Sequence, residues 1–224
     1  MTHANDLEQS WTANAANWTR AVREGLIPSR KAGTDAAIVD AIVARGPKWL
    51  LDVGCGEGWL VRAVTAQTKC DAVGIDGSPA LIRDASAADP ASRYVVVPYS
   101  DLVAGRHDLG GGFDIIAFNY ALFEEDIVPL LVVARGLLAP RGAIVIQTLH
   151  PNAFAGDEDG WRTEDFSAFQ NQDWAPMPWY LRSLASWHDS IARAGLRIVE
   201  TREPKAAPDG PPLSQLLICE SPQP

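Results

Sequence analysis

The chain has 224 residues, of which 47% are apolar. A chain of this length is expected to fold as one domain that buries roughly 70% of its unfolded surface, so no disulfide or metal is needed to hold the core together. The 28 acidic and 19 basic side chains give a net charge of −9. This balance disfavours a nucleic-acid partner, because phosphate backbones require clustered positive charge.

The cysteines and the hydrophobic pattern indicate a reduced, soluble, cytoplasmic protein. Cys55, Cys70 and Cys219 are odd in number and lack the spacing of a metal site. The first eleven residues are polar, unlike a secretory signal, and no segment approaches the roughly 18 apolar residues of a membrane span. We therefore expect no metal and no membrane span, while the oligomeric state stays open.

Residues 5–46 predict two helices that form an N-terminal cap. Trp11, Ala15 and Trp18 recur on one helical face. The break is predicted at residues 25–30, where a proline disfavours helical geometry for the residue before it.

Alternating β-rich and helical segments follow the cap, and residues 47–150 are predicted to form the central part of the domain. The alternation predicts a parallel sheet with helices on both faces. One predicted helix, at residues 130–138, lies between the last two of five strands. The predicted strands are Trp49–Val53 and residues 72–75, 94–97, 114–118 and 143–148.

Residues 151–178 interrupt this pattern, and we predict a loop without secondary structure that contains Trp161, Phe166, Phe169 and Trp174. So long a loop usually has a function, and residues 151–180 are expected to form a lid. Residues 181–224 complete the domain. The pattern there predicts a helix at 183–194, then strands at 196–201 and 215–220 joined by a proline-rich antiparallel return.

The first strand runs into three glycines, Gly54, Gly56 and Gly58, before a helix predicted from Trp59. Glycines allow close approach of a ligand to the backbone, and the N–H groups of a helix start can bind it. The dinucleotide fingerprint G-x-G-x-x-G would require glycine in place of Trp59. The spacing here is G-x-G-x-G, preceded by Asp52.

A second acid, Asp76, ends the second strand, 24 residues after Asp52. A carboxylate at this place can accept two hydrogen bonds from a ribose diol. The alternative is that it stabilises the start of the following helix through the helix dipole. Ser78 and Pro79 already supply an N-terminal cap there, which favours the ribose role.

Two further segments, FDIIAFNYAL at residues 113–122 and LLAPRGA at 137–143, complete an ordered set of motifs. The set resembles class I S-adenosylmethionine-dependent methyltransferases, in their small-molecule, quinone-type branch, over roughly residues 48–150. Arg141 stands where that family usually has glycine. The resemblance implies an α/β fold: a doubly wound, seven-stranded, mostly parallel sheet with its last strand antiparallel, an N-terminal helical cap and a lid insertion after strand five.

The resemblance also implies S-adenosylmethionine as cofactor and S-adenosylhomocysteine as product. It implies that the three glycines lie beneath the methionine part, that Asp76 binds the ribose, and that Asn119 and Leu122 lie near the sulfonium. Ser100 and Asp101, after the third strand, would contact the adenine. The expected cofactor residues are Asp52, Gly54, Cys55, Gly56, Gly58, Asp76, Gly77, Ser78, Ser100, Asp101, Asn119, Tyr120 and Leu122.

A small-molecule acceptor is expected between the cap and the insertion. His150 follows the fifth strand, whose carboxyl end faces the crevice of an α/β sheet, and its ordinary pKa suits a general base. Tyr180 is the second candidate. Trp18 also suits a core position, and Arg30 and Arg182 also suit solvated helix ends. The full set of expected acceptor contacts is Trp18, Arg30, His150, Trp179, Tyr180 and Arg182.

These features favour in-line methyl transfer to oxygen, nitrogen or carbon of a small molecule. The chain lacks the Asn-Pro-Pro-Tyr, Asp-Pro-Pro-Tyr and Pro-Cys motifs of DNA base methylation. Three alternatives stay open: a tRNA wobble-uridine methyltransferase, a nucleotide-dependent oxidoreductase, and a non-catalytic cofactor-binding protein. The last of these would lack an enclosed acceptor pocket.

Overall fold

The computed structural model of the chain describes residues 3–151, 158–167, 169 and 173–222. Its strands are β1 (Trp49–Val53), β2 (Asp71–Asp76), β3 (Arg93–Val96), β4 (Phe113–Asn119), β5 (Leu138–Leu149), β6 (Gly160–Glu164), β7 (Met177–Leu181), β8 (Arg197–Arg202) and β9 (Ser214–Glu220). Seven of them form one sheet in the order β3-β2-β1-β4-β5-β9-β8. Strands β1 to β5 are parallel, and β9 is antiparallel to both β5 and β8. The predicted fold class is confirmed.

Helices cover both faces of this sheet. They are α1 (His3–Ala13), α2 (Ala15–Arg23), α3 (Asp35–Val43), α4 (Trp59–Thr65), α5 (Pro79–Ala88), α6 (Tyr99–Val103), α7 (Val128–Leu137) and α8 (Leu184–Arg193). One apolar cluster joins the sheet to α3 and α4, and another joins it to α6, α7 and α8. None of the helices in the described part of the chain combines the length and hydrophobicity that crossing a bilayer takes.

The N-terminal cap differs from the two predicted helices. The first predicted helix is divided at Asn14, whose buried side chain donates to Ser10 Oγ and to the carbonyl of Ala175. A five-residue π-helical turn, Arg30–Thr34, precedes α3, and Gly33 within it has a φ of 132°. The cap therefore contains three α-helices, α1, α2 and α3. The break at Asn14 was not predicted, because its contact with Ala175 is a long-range one that helical periodicity does not reveal.

Strand β5 begins earlier than predicted, at Leu138. Phe113 pairs with Leu138, but Ile115 pairs with Ala143, so four residues of β5 bulge out against one residue of β4. Arg141 lies in this bulge with a φ of 70°, in the left-handed region that favours glycine. The substitution of arginine for the usual glycine is therefore accommodated in an irregular turn.

The insertion after β5 contains secondary structure that the sequence did not predict. Strands β6 and β7 form an antiparallel hairpin, with Trp161 opposite Tyr180. The expected loop without secondary structure is thus wrong for these segments. Residues 152–157, 168 and 170–172 of the predicted lid lie outside the described part of the chain. The division of the domain at residues 46, 150 and 180 stays a prediction.

Candidate cofactor and acceptor site

The carboxyl ends of β1, β2 and β4 open into a cavity of about 580 Å³. This is where parallel α/β sheets bind ligands, because the strands end there and the helix N-termini begin. The cavity has two parts with different linings. We call them the cofactor half, formed by the loops after β1, β2, β3 and β4, and the acceptor half, formed by α1, α2, residues 123–124 and the β6–β7 segment.

The glycine loop after β1 forms the floor of the cofactor half. Gly54, Gly56 and Gly58 have φ values of 75°, 56° and 81°, which side chains other than glycine rarely adopt. A Cβ at Gly54 would lie 2.7 Å from both the Tyr99 hydroxyl and the Ala121 Cβ. The loop therefore needs glycine at position 54 both for its backbone conformation and for the close packing of Tyr99 and Ala121 against it.

Asp76 lies at the end of β2 and lines the cavity. Its Oδ2 accepts from the N–H of Gly56 at 3.0 Å, and its Oδ1 accepts from the N–H of Ser78 at 2.8 Å. Burial raises the pKa of this carboxyl, and the two backbone donors offset part of the increase. Ser78 Oγ caps α5 by accepting from Leu81 N–H, as predicted.

Asp52 lies beneath the loop, outside the cavity lining. Its Oδ1 is buried and has no hydrogen-bond partner among the described residues. Burial, and then the charge of Asp76, raise the pKa of Asp52 to about 8. Asp52 therefore lies behind the glycine loop and is not among the residues that line the cavity.

The other residues expected in the cofactor half divide into two groups. Those that line the cavity are Gly54, Cys55, Gly56, Asp76, Gly77, Ser78, Ser100, Asn119 and Tyr120. Besides Asp52, those that do not are Gly58, which stands over the Tyr94 ring, Asp101, which pairs with Arg106, and Leu122, which is buried in the core. Tyr120 has a φ of 51°, a strained conformation that clusters at functional sites.

The acceptor half is a cage of aromatic rings. Trp18 lines it, with its ring 5.4 Å from Trp11 and 5.6 Å from Phe166. Trp179 also lines it, 6.0 Å from Phe123. The Nε1 of Trp18 is buried and has no hydrogen-bond partner among the described residues. The lining therefore presents flat apolar surface together with a free N–H donor.

Phe166 holds this cage together from the segment after β6. Its φ is 58°, which is unfavourable for a bulky side chain. Its ring stacks on Trp174 at 4.4 Å. Arg30 also lines the cavity, but its guanidinium pairs with Asp35 at 3.0 Å and lies 4.2 Å over the Trp59 ring.

The structure corrects three of the expected acceptor contacts. Leu149 lines the cavity, so the alternation along β5 turns the next side chain, His150, away from it. His150 is 2% exposed, and its Nε2 lies 3.4 Å from Oε1 of Glu203. In β7 the same alternation places Trp179 inward and Tyr180 outward, against Trp161.

Arg182 is the third correction. It is 2% exposed and lies outside the cavity lining. Its Nη1 donates to the carbonyl of Leu122 at 3.3 Å, and its guanidinium lies 5.4 Å from the Trp187 ring. Burial lowers the pKa of Arg182 to about 10. Arg182 therefore stabilises the segment after β4 from the side that faces away from the cavity.

The sequence reasoning missed five acids of the cavity lining, Glu8, Asp35, Glu57, Glu124 and Glu164, of which two stand closest to the expected motifs. Glu57, between two of the glycines, is 2% exposed and pairs with Arg62 at 2.7 Å and with Arg23 at 2.8 Å. Glu124 lines the cavity beyond the predicted motif at 113–122. Burial raises the pKa of Glu124 to about 7. Glu57 could have been noticed in the glycine turn, whereas no local signal marks Glu124.

These features fit S-adenosylmethionine. The backbone of Gly56, where an added Cβ would meet nothing within 4 Å, is open to the cavity for the methionine part, and the Asp76 carboxylate lines the same cavity for a ribose diol. Trp59 replaces the third glycine of the dinucleotide fingerprint. The fold and the site therefore have the features of a class I S-adenosylmethionine-dependent methyltransferase, and the residues present fit that cofactor.

Comparisons with known proteins agree with this class. Residues 51–144 match the family model described as a methyltransferase domain. The chain is 31% identical over 118 residues to proteins named uncharacterized methyltransferases from Mycobacterium tuberculosis H37Rv and Mycobacterium bovis. These matches cover 50% of this chain and 56% of the relatives, so the chain spans little more than half the length of the curated relatives it matches.

Solved structures share the fold. A 1,6-didemethyltoxoflavin-N1-methyltransferase from Burkholderia thailandensis has a TM-score of 0.65 and 17% identity, covering 98% of this chain and 89% of that one. A TehB-like S-adenosylmethionine-dependent methyltransferase from Corynebacterium glutamicum has a TM-score of 0.62 and 22% identity, covering 94% and 99%.

Proposed function

We propose that the chain is an S-adenosylmethionine-dependent methyltransferase that acts on a small-molecule acceptor in the cytoplasm. The observation that supports this best is the continuity of the cavity, in which the glycine loop and Asp76 share one space with the aromatic cage. A cofactor and an acceptor bound in the two halves would meet at the loop after β4. The volume of the cavity is within the range of about 300–1,000 Å³ that small-molecule sites occupy.

The acceptor half favours a small, mostly apolar molecule. Its lining is dominated by tryptophan, phenylalanine and leucine side chains from the cap and the insertion. The solved Burkholderia enzyme with a similar fold was crystallised with 1,6-didemethyltoxoflavin and S-adenosylhomocysteine bound. We infer a small-molecule acceptor here too, with Trp18, Trp179 and Arg30 among its contacts.

The protein's part in the reaction is alignment and exclusion of water. S-adenosylmethionine, when bound, supplies the electrophilic methyl group and leaves as S-adenosylhomocysteine. Gly54 and Asp76 would hold the cofactor from below and beside the ribose. Trp18 and Trp179 would hold the acceptor, and the packing of α1 on β7 would keep water from the reacting atoms.

The other candidate functions have less support. A tRNA wobble-uridine methyltransferase must bind a polyanion, which a net charge of −9 and a lining rich in carboxylates disfavour. A nucleotide-dependent oxidoreductase is disfavoured by Trp59 and by the fold comparisons. A non-catalytic binding protein is disfavoured by the aromatic cage beside the cofactor half.

Calorimetry with S-adenosylhomocysteine and NAD tests the proposed function first. We expect S-adenosylhomocysteine to bind and NAD to bind at least tenfold more weakly. A screen of amines, alcohols and carbon acids for formation of S-adenosylhomocysteine then tests turnover. The proposal is wrong if NAD binds and S-adenosylhomocysteine does not.

A further inference from the structure

Glu124 has an unused carboxylate oxygen in the cavity. Its side chain lines the cavity, and its Oε2 is buried without a hydrogen-bond partner among the described residues. Buried polar atoms are nearly always hydrogen-bonded, and an exception in a cavity is accounted for when a ligand supplies the partner. Oε2 can only accept while the carboxyl is ionised, so the missing partner is an N–H or O–H group.

The position of Glu124 joins the two halves of the cavity. The Tyr99 hydroxyl, in contact with Gly54, donates to the carbonyl of Ala121 at 2.9 Å. Burial, and then the charge of Glu124, raise the pKa of Tyr99, so the carboxylate lies near this contact. The preceding residue, Phe123, belongs to the aromatic cage. A group bound by Glu124 would therefore lie between the cofactor and the cage.

The cage suits a cation better than an anion. Trp11, Trp18 and Trp179 present aromatic faces, which attract an ammonium group. Among the described lining residues, Arg30 is the single cation, and Asp35 and Trp59 already occupy its guanidinium. An acceptor with a carboxylate or phosphate in this half would therefore lack a cationic partner, and the buried Trp18 Nε1 would offer it only a neutral N–H donor.

The charges around Glu124 set its proton affinity. Burial raises the pKa of Glu124, and the N–H groups of Glu124 and Phe123 and the charge of Arg182 lower it. Glu8 on α1, another carboxylate of the lining, raises it further. Burial outweighs the groups that lower this pKa and brings it to about 7. Tyr99 is the other titratable group beside it. This carboxylate is therefore a stronger base than an ordinary one, whose pKa is about 4.3.

We propose that the acceptor is an amine on an apolar, planar body, and that Glu124 binds its N–H and removes its proton. The proposal rests on the proposed function and specifies its acceptor. The amine enters as an ammonium ion, and one N–H bond breaks as its proton moves to Oε2 of Glu124. The electron pair left on nitrogen forms the bond to the methyl carbon, while the pair of the breaking C–S bond goes to sulfur.

Three probes with one ring system test the acceptor class: tryptamine, tryptophol and indole-3-acetate. Each is titrated by calorimetry into the protein saturated with S-adenosylhomocysteine. We expect tryptamine to bind at least tenfold more tightly than tryptophol, and indole-3-acetate to bind more weakly than both. Equal or tighter binding of indole-3-acetate overturns the proposal, and so does a failure of tryptamine to bind at millimolar concentration.

Glu124→Gln tests the residue, with Glu125→Gln as the matched control. Glu125 is exposed and accepts from Trp161 Nε1 outside the cavity. We expect Glu124→Gln to lower the ratio of tryptamine affinity to tryptophol affinity about tenfold and to leave S-adenosylhomocysteine binding unchanged. Glu125→Gln should change neither that ratio nor S-adenosylhomocysteine binding. An unchanged preference in Glu124→Gln overturns the assignment.

Two further readouts separate this proposal from the proposed function. Asp52 also titrates between pH 5 and 9, so difference infrared spectra over this range are compared in an Asp52→Asn background. They should show a protonated carboxyl band that disappears when Glu124→Gln is added, and its persistence there would contradict the assignment. The rate of tryptamine methylation should rise with pH through about 7 in the wild type and lose this limb in the variant. Loss of S-adenosylhomocysteine binding by the wild type would instead refute the proposed function.

Discussion

The cofactor half and the acceptor half of the cavity are built in opposite ways. The cofactor half uses backbone atoms and one carboxylate: the loop of Gly54 to Gly58 begins with two N–H donors to the carbonyl of Ile75, and Asp76 accepts from the loop. The acceptor half uses large side chains from three segments far apart in sequence. A cofactor that many enzymes use can be bound by a backbone geometry that they have in common. An acceptor that is specific to one enzyme requires side chains specific to that enzyme.

The two halves are also joined differently to the rest of the protein. The cofactor half belongs to the sheet, whose strands pair continuously from β3 to β8. The acceptor half is joined by its own apolar cluster, which packs Leu7 of the cap against Met177 and Trp179 of the insertion, and by a few polar contacts. Asn14 donates to and accepts from Ala175 at 2.8 Å, and Arg23 pairs with Glu57 in the glycine loop. Substitutions should therefore separate the two halves functionally.

The largest effect is expected for Asp76→Ala. Loss of two charge-assisted hydrogen bonds to the ribose should weaken S-adenosylhomocysteine binding by about 2–4 kcal/mol, or roughly 30- to 1,000-fold. Asp71→Ala, at the exposed other end of β2, is the control and should bind normally. Calorimetry makes the measurement, with thermal melts to establish that both variants are folded. An unchanged affinity in Asp76→Ala would remove the ribose assignment.

The next effect is expected for Asn14→Ala, in the acceptor half. The change leaves the N–H and carbonyl of Ala175 without their partner, at a cost of about 1–3 kcal/mol. We expect faster proteolysis of residues 158–181 and weaker tryptamine binding, with S-adenosylhomocysteine affinity within about threefold of wild type.

Asn17→Ala is the control for this change, because Asn17 makes one exposed hydrogen bond to the carbonyl of Asp173. It should leave both the cleavage rate and tryptamine binding near wild type. Equal weakening of both ligands in Asn14→Ala would show that the two halves are not separable.

A smaller effect on stability is expected for Asp52→Asn. The pKa of Asp52 is raised from 3.8 to about 8 in the folded chain, so the native state binds more protons than the unfolded state between these values. Stability contributed by this group therefore declines as pH rises from about 4 through 8. Asparagine mimics the protonated form, so the variant should gain most at pH 8 and least at pH 4.

Thermal melts measure this gain, and each 1 kcal/mol corresponds to roughly 2–4 °C in a chain of this length. Asp71→Asn, at an exposed position of β2, should show no such pH dependence. A variant that is less stable than wild type at pH 8 would show that the ionised Asp52 stabilises the glycine loop.

The smallest effect is expected for His150→Gln. Because His150 faces Glu203 and lies outside the cavity lining, we expect the rate of tryptamine methylation to stay within about threefold of wild type. A general base at this position would instead predict a drop of about 10²–10⁴-fold. A drop of that size, in a variant with a normal melting temperature, would return His150 to the reaction.

The sequence predicted the cofactor half well because its determinants are local. The strand, the three glycines and Asp76 lie within 27 consecutive residues, from residue 50 to residue 76, and their spacing alone implies a turn that binds a ligand. The errors there concern which residues reach the cavity surface. Asp52 and Leu122 were expected at the ligand but are buried outside the cavity lining, and sequence spacing does not reveal which side of a loop faces the cavity.

The acceptor half was predicted only in outline. The cap and the insertion were expected to close the site, and Trp18 and Trp179 do line it. His150 and Tyr180 were placed in it because of their positions at strand ends. Successive side chains of a strand point to opposite faces, however, so each of these two points away from the cavity. Glu124 carries no local signal, because its buried oxygen depends on the packing of α1 and β7 around it.

By itself, the sequence determined the parallel sheet, the glycine loop and the class of cofactor, because hydrophobic periodicity and glycine spacing act over a few residues. Only the tertiary structure decided which side chains face the acceptor. That choice depends on contacts between residues such as Asn14 and Ala175, which are 161 positions apart, and on burial, which gives Glu124 its proton affinity. Neither is a property of a local segment of the chain.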